Sequence, residues 1–249
     1  MNYDLTLFEQ GLEQLNIPLS QAQKEQFIKY YEYLVEKNKV MNLTAITEYE
    51  EVIVKHFLDS LSLTKVQDFS GKAEGKTMID VGTGAGFPGI PLKIAFPELQ
   101  IVLLDSLNKR VGFLNEVIEM LNLQHIRAVH GRAEDFARQK DYRESFDFCV
   151  SRAVANLSTL SEYCLPFVKE GGCFISYKSG KVDEELSQAG EAVKILGGKI
   201  QDVIKFTLID QNMDRSFVVI GKRKATPKKY PRKAGLPSKE PISASIRVL

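Results

Sequence analysis

The chain has 249 residues, 44% of them hydrophobic and 26% charged, a composition that suits one large domain, or one domain with an appendage, able to bury a core. The longest apolar runs, such as Ile101 to Leu104, are far too short for a bilayer span, and Met1-Asn2-Tyr3-Asp4 does not open a signal peptide, so a soluble cytoplasmic protein is expected. Three cysteines of unpaired spacing and three scattered histidines, His56, His125 and His130, suggest neither disulfides nor a metal.

The net charge of +1 conceals an uneven distribution. From Lys222 to Glu240 there are eight basic residues against one acid, so an acidic body carries a basic tail. That pattern fits a polyanionic partner or a solubilising end.

Residues 1–65 read as an N-terminal helical cap. Ser20 to Gln23 and Thr47 to Glu50 both match the capping box, and behind them Phe27, Tyr30, Tyr31 and Leu34, then Val54, Phe57, Leu58 and Leu61, recur at helical spacing. Gly71, Gly75 and several charges break the pattern, which places a linker at 66–76. From Thr77 to about 224, short apolar runs beginning at Met78, Ile101, Ile126, Phe146 and Cys173 alternate with helical stretches such as Lys109 to Leu121 and Asp183 to Leu196. This βαβ order predicts a doubly wound, mainly parallel α/β sheet. Ile204 to Leu208 and Ser216 to Ile220 complete seven strands as an antiparallel hairpin at the sheet edge. The tail 225–249, with Pro227, Pro231, Pro237 and Pro241, is expected to be extended.

The first strand runs into Asp80-Val81-Gly82-Thr83-Gly84-Ala85-Gly86, a turn where side chains are excluded so that backbone can approach a ligand. Gly84 to Gly89 also satisfies the dinucleotide pattern G-x-G-x-x-G, so a nicotinamide or flavin enzyme is an alternative. Charge separates the two readings. A carboxylate at the strand end opposes a pyrophosphate, whereas S-adenosylmethionine carries a sulfonium and an ammonium and no phosphate. Asp80 stands at that position, Asp105 ends the second strand where ribose hydroxyls would bind, and Glu134 follows the third strand near an adenine. Asp105 and Glu134 also fit ordinary helix-start positions.

Missing motifs narrow the chemistry. After the fourth strand, Ser151 to Ala155 is not the Asp/Asn-Pro-Pro-aromatic stretch of amino-group methylation, and Cys149 and Cys173 lie inside apolar runs rather than exposed as nucleophiles. Guanine N7 has an in-plane lone pair and loses no proton on attack, so it needs positioning rather than a general base.

Asn38 to Ile46, His56 to Leu61, Asp80 to Pro88, Asp105 to Arg110, Gly131 to Glu134, Ser151 to Ala155 and Lys228 to Gly235 together resemble the glucose-inhibited division protein B family across nearly the whole chain. These are ribosomal RNA small-subunit methyltransferases G. The resemblance implies a Rossmann-like methyltransferase fold and methyl transfer from S-adenosylmethionine, leaving S-adenosylhomocysteine, to N7 of guanine 527 in 16S rRNA. It implies a monomer acting on the small subunit, and cofactor contacts by Gly82, Phe87, Ala133, Glu134 and Arg152, with Asp105 as ribose partner. Asp80, Gly84 and Gly86 complete the expected cofactor site.

Arg152 can reach a methionine carboxylate or an RNA phosphate. With Asn42, His56 and Lys178 it forms the candidate substrate side. His56 and Asp59 share a helix face and either line the pocket or pin the cap to the sheet. Lys228, Lys229, Arg232, Lys233 and Lys239 are expected to form a mobile cationic arm on RNA, with Tyr230 available for stacking. An RNA-binding assembly factor on an inactive methyltransferase fold is the alternative of another class.

Overall fold

The computed structural model describes residues 3–67, 69, 73–152, 155–180, 182–209 and 213–243. Ala153 and Val154 of the segment after the fourth strand, residues 68 and 70–72 of the expected linker, and the tail from 244 lie outside them.

Seven strands form one sheet: β1 (Thr77–Val81), β2 (Gln100–Asp105), β3 (Ile126–His130), β4 (Phe146–Arg152), β5 (Val168–Ser179), β6 (Gly198–Thr207) and β7 (Asp214–Lys222). Their order is β3-β2-β1-β4-β5-β7-β6, parallel from β3 to β5, with β7 antiparallel to both neighbours and β6 at the edge. The expected doubly wound sheet and its edge hairpin are therefore both present. Strand order reverses between β1 and β4, and open α/β sheets bind ligands above the carboxyl ends of strands at such a point.

One face of the sheet carries the N-terminal helices. Helix α1 (Thr6–Gln14) is followed by α2 (Gln21–Met41), which starts at a complete Ser20–Gln23 capping box and buries Phe27, Tyr30 and Leu34. It ends at Asn42, whose φ of 51° is tolerated by a short polar side chain. The next helical stretch changes pitch: α3 (Tyr49–Val52), a π-helical segment (Ile53–Leu58), α4 (Asp59–Leu61) and a 3₁₀ turn (Ser62–Lys65). The second expected capping box is absent. Glu48 is the N-cap and has no side-chain cap bond, while the Thr47 carbonyl accepts from the Tyr31 hydroxyl at 3.1 Å.

These helices, with α5 (Gly89–Ala95) and α6 (Asn108–Met120), share one apolar cluster with the sheet, which includes Phe8, Phe27 and Phe57, Ile90 of α5, and Met78 and Leu103 of the strands. The segment read as a linker adds Val66, Phe69 and Ala73 to that cluster, which the glycines and charges around them obscure in sequence. The opposite face is covered by α8 (Leu157–Cys164) and α9 (Asp183–Ile195) over a second cluster that includes Cys149 and Cys164. All three cysteines are buried, and burial pushes the Cys149 thiol well above its usual range.

The tail corrects the expectation of an extended, mobile arm. Through residue 243 it is strapped across the sheet domain and includes a short helix, α10 (Leu236–Lys239). Arg143 donates to the carbonyls of Thr226 (2.7 Å) and Tyr230 (3.0 Å), Thr159 to Pro237 (3.1 Å), and Ser158 to Ile242. Proline-rich, basic composition read alone hides such anchoring, because every partner lies far away in sequence.

Candidate functional site

The glycine turn is organised from below. Asp80, at the end of β1 and with no exposed surface, accepts at Oδ2 from the Thr83 hydroxyl (2.7 Å) and the Gly89 amide (2.9 Å). Burial pushes its carboxyl up to about 7, against the pull of those two donors. Asp80 therefore shapes the loop and does not line the cavity above it. Gly86, at φ 99°, is pressed against α2, since a Cβ there would stand 2.8 Å from the Tyr30 hydroxyl. Gly84 differs: it needs its φ of 63°, yet a Cβ would meet nothing within 4 Å. Its open side faces a cavity of about 430 Å³ bordered by Gly82, Thr83, Gly84, Phe87, Asp105 and Arg152.

Asp105 closes the turn from β2. Its Oδ2 accepts from the Gly84 amide at 2.9 Å and its Oδ1 from the Leu107 amide at 2.9 Å, while Arg110 stands 3.5 Å from Oδ2. A carboxylate has about four lone-pair sites, so hydroxyl donors can still be accepted on both oxygens. Arg110 lines the same cavity and its buried Nε has no partner among the described residues.

A smaller cavity of about 260 Å³ continues this space through the shared residues Gly82 and Ser106. Gly131, Ala133, Glu134 and Tyr163 line it. Glu134 is buried at the start of α7 (Ala133–Phe136), and its Oε1 accepts from the amide of Gly235 in the tail at 2.8 Å. The two spaces form an elongated cleft over β1 and β2.

The other end of the cleft is a wall made by β4 and the π-helical segment. Arg152 ends β4; its Nη1 donates to Asp59 Oδ2 (2.8 Å) and to the Lys55 carbonyl (3.1 Å), and its guanidinium lies 5.2 Å from the Phe87 ring centre. His56 stacks on the same Phe87 ring, 4.5 Å between ring centres at 19°. Its Nε2 lies 2.8 Å from the Thr44 hydroxyl and its Nδ1 3.4 Å from Arg152 Nη2. Nδ1 also lies 3.2 Å from the Lys55 carbonyl, so it stands between a donor and an acceptor and these contacts do not fix the tautomer. Burial, reinforced by Arg152, pushes the His56 imidazole down to about 4. Thr44 is held in turn by Asn38, which binds the Leu43 and Thr44 amides and the Thr44 carbonyl.

The expected substrate-side residues separate. Arg152 and His56 stand together at the wall. Asn42 is an exposed helix end beside Leu43 and Thr44, which do border the cleft. Lys178 lies within β5 and gives its ammonium to Glu185 (2.6 Å) and the Ala155 carbonyl (2.9 Å). Among the tail residues, Lys228, Lys229, Lys233 and Lys239 are exposed, but Arg232 is a fork-to-fork partner of buried Glu162 (2.7 Å from Nη2 to Oε2). Arg215 is a site residue that sequence reasoning misses. From β7 its Nε donates to Asp59 Oδ1 at 2.8 Å, 156 residues away in sequence, and no local signal marks it.

The family model for GidB, described as rRNA small subunit methyltransferase G, matches residues 23–214. The chain belongs to this methyltransferase family. A relative from Lachnoclostridium phytofermentans, named ribosomal RNA small subunit methyltransferase G, is 57% identical over 96% of this chain and 98% of its own length. One of the same name from Bacillus licheniformis is 50% identical over 94% of this chain and 97% of its own. Among solved structures, a point mutant of MtNAS superposes with a TM-score of 0.54 at 16% identity, covering 87% of this chain and 82% of that one. TrmN from Thermus thermophilus superposes with a TM-score of 0.50 at 16% identity, covering 68% of this chain and 53% of that one. At that identity the likeness is one of fold.

Proposed function

We propose that this protein transfers a methyl group from S-adenosylmethionine to N7 of a guanine in 16S rRNA, guanine 527 by family resemblance. The observation that carries the reading is the continuity of the cleft. A nucleoside-sized end at Glu134 and Tyr163, a carboxylate at Asp105 and a cationic end at Arg152 match a ribonucleoside joined to an amino acid. Asp105 suits the ribose hydroxyls, Ala133 and Glu134 border the adenine, Gly82 and Gly84 admit the backbone of the ligand closely, and Arg152 or Arg110 suits the carboxylate. When bound, the cofactor supplies the electrophilic methyl group. The chain supplies position.

No proton leaves N7 on methylation, so the wall needs no base. His56, neutral above about pH 4 and tied to Thr44 and Arg152, is a packing and orienting group rather than a general base. Phe87, His56 and Arg152 form a stacked wall that excludes water from the reacting atoms. The exposed lysines of the tail supply sequence-independent attraction to rRNA. Mapping 7-methylguanosine in 16S rRNA from cells with and without this chain tests the assignment. Unchanged methylation at N7 after its loss would overturn it, and would favour an assembly role.

A further inference from the structure

Across the wall formed by His56 and Arg152, on the side away from the glycine turn, lies a second cavity of about 480 Å³. Both residues border the two spaces, so this cavity adjoins the cofactor cleft. Its size is that of a small-ligand pocket. Among the described residues, four cations line it, Lys55, Arg152, Lys178 and Arg215, with a single carboxylate, Asp59.

Cations in such a place suit RNA; the carboxylate does not, unless it meets hydrogen-bond donors. Asp59 is only 3% exposed and is held from two sides, by Arg152 at Oδ2 and Arg215 at Oδ1, both at 2.8 Å. Each oxygen takes one donor from an arginine and keeps further acceptor capacity. Two guanidiniums on two different strands fix the plane of the group, so it is presented to the cavity in one orientation.

Of the four RNA bases, only guanine offers two neighbouring donors, N1–H and N2–H₂, spaced for one carboxylate. Adenine presents an acceptor at N1 and no amino group at C2, and so offers no matching pair of donors to the remaining lone pairs of the carboxylate. The imidazole edge that carries N7 lies at the opposite end of guanine from N1 and N2. A base anchored on Asp59 therefore turns N7 away from it, towards the wall and the cofactor cleft.

We propose that Asp59 is a specificity-determining residue that reads the target guanine by accepting from N1–H and N2–H₂, with Arg152 and Arg215 holding it in place. The inference rests on the guanine-N7 reading above. Its experiment uses reconstituted small subunits carrying guanosine or inosine at the target position, with the full-length wild type and D59N. Inosine keeps N7, O6 and N1–H and lacks only the 2-amino group. The wild type is expected to prefer guanosine by roughly 10- to 100-fold in kcat/KM, the worth of one hydrogen bond to a charged group. D59N, whose amide opposes N1–H, is expected to bring the two substrates within about twofold of each other.

A wild type that methylates inosine as readily as guanosine overturns the proposal without any variant, as does a D59N enzyme that keeps the wild-type ratio. Cofactor affinity and thermal unfolding of D59N show that the ratio is read on a folded protein. No transfer to guanosine N7 by the wild type would instead overturn the guanine-N7 reading itself, and Asp59's role with it.

Discussion

The amide of Gly235 donates to Glu134 Oε1 at 2.8 Å, which ties the basic tail to the lining of the cleft over β1 and β2. Three residues before Gly235, Arg232 grips Glu162, a carboxylate with 1% of its side chain exposed. Breaking a buried pair from one side strands the other charge. Arg232 is itself 23% exposed, so the full penalty is discounted, and R232A is expected to cost about 2 kcal/mol, or about 4–8 °C in Tm. Removal of residues 225–249 is expected to do at least as much and also to weaken S-adenosylmethionine binding about tenfold, because Glu134 loses a hydrogen bond that orients it. Thermal unfolding and calorimetry check both effects. A truncated chain with wild-type Tm would show that the strap contributes nothing.

The exposed lysines can be tested apart from that anchoring. Lys228, Lys229 and Lys233 have no hydrogen-bond or ion-pair acceptor among the described residues, so replacing all three by Gln should leave Tm and cofactor affinity unchanged. If each meets a phosphate, the slope of log K for rRNA against log salt should fall by about 2–3. An unchanged slope would place the RNA on another face.

How much of this is legible in the sequence depends on whether the cause is local. The Ser20 capping box, the apolar stripe of Phe27, Tyr30 and Leu34, and the strand runs of β1 to β5 are set by neighbours within a few residues, and they are where periodicity puts them. Thr47 matches a capping pattern, but Tyr31 from α2 claims its carbonyl and the helix starts one residue later. Asp80 stands out in the sequence as a carboxylate at a glycine turn, yet burial by tertiary packing decides that it supports the loop from beneath. Arg232 and Arg215 are invisible as structural partners because Glu162 and Asp59 reach them only through the assembled sheet.

Asp105 is expected to be the residue on which cofactor affinity depends most. It accepts from the Gly84 amide and so couples the open side of the turn to the end of β2. D105A removes the proposed ribose acceptor together with the group that positions Gly84. An affinity loss of about 10- to 100-fold is expected, from one or two hydrogen bonds to a charged group. Calorimetry with S-adenosylmethionine and its demethylated product measures this, with unfolding monitored in parallel. Normal binding would remove Asp105 from the site.

The His56 ring should titrate far below its usual range. Its pKa falls from 6.5 to about 4, so between those values the unfolded chain holds a proton that the folded chain does not. Stability from this group is therefore complete above about pH 6.5 and is lost as pH falls towards 4. Asp80, raised from 3.8 to about 7, has the opposite slope over much of the same range, because there the folded chain holds the extra proton. Global unfolding thus mixes the two, and a residue-resolved probe is needed. The His56 ring resonances should stay at their neutral position from pH 8 down to about 5.5 and shift with a midpoint near 4. A midpoint near 6.5 would mean that the wall is open to water.

Arg152 is where lysine should fail most clearly. The guanidinium serves Asp59, the Lys55 carbonyl and His56 Nδ1 with separate N–H groups while its flat face lies over Phe87. An ammonium keeps the charge but offers a point donor, with neither the fork nor the plane. R152K should therefore retain the fold and a positive wall, yet lose the guanidinium contact to His56 and leave Asp59 held by Arg215 alone. The expected result is a loss of roughly 10- to 100-fold in kcat/KM for methyl transfer, with a smaller change in S-adenosylmethionine affinity, since the nucleoside end at Glu134 is untouched. Steady-state kinetics on small subunits with calorimetry on the cofactor separates the two. A variant that loses cofactor affinity and activity in equal measure would assign Arg152 to the cofactor alone rather than to the wall between the two cavities.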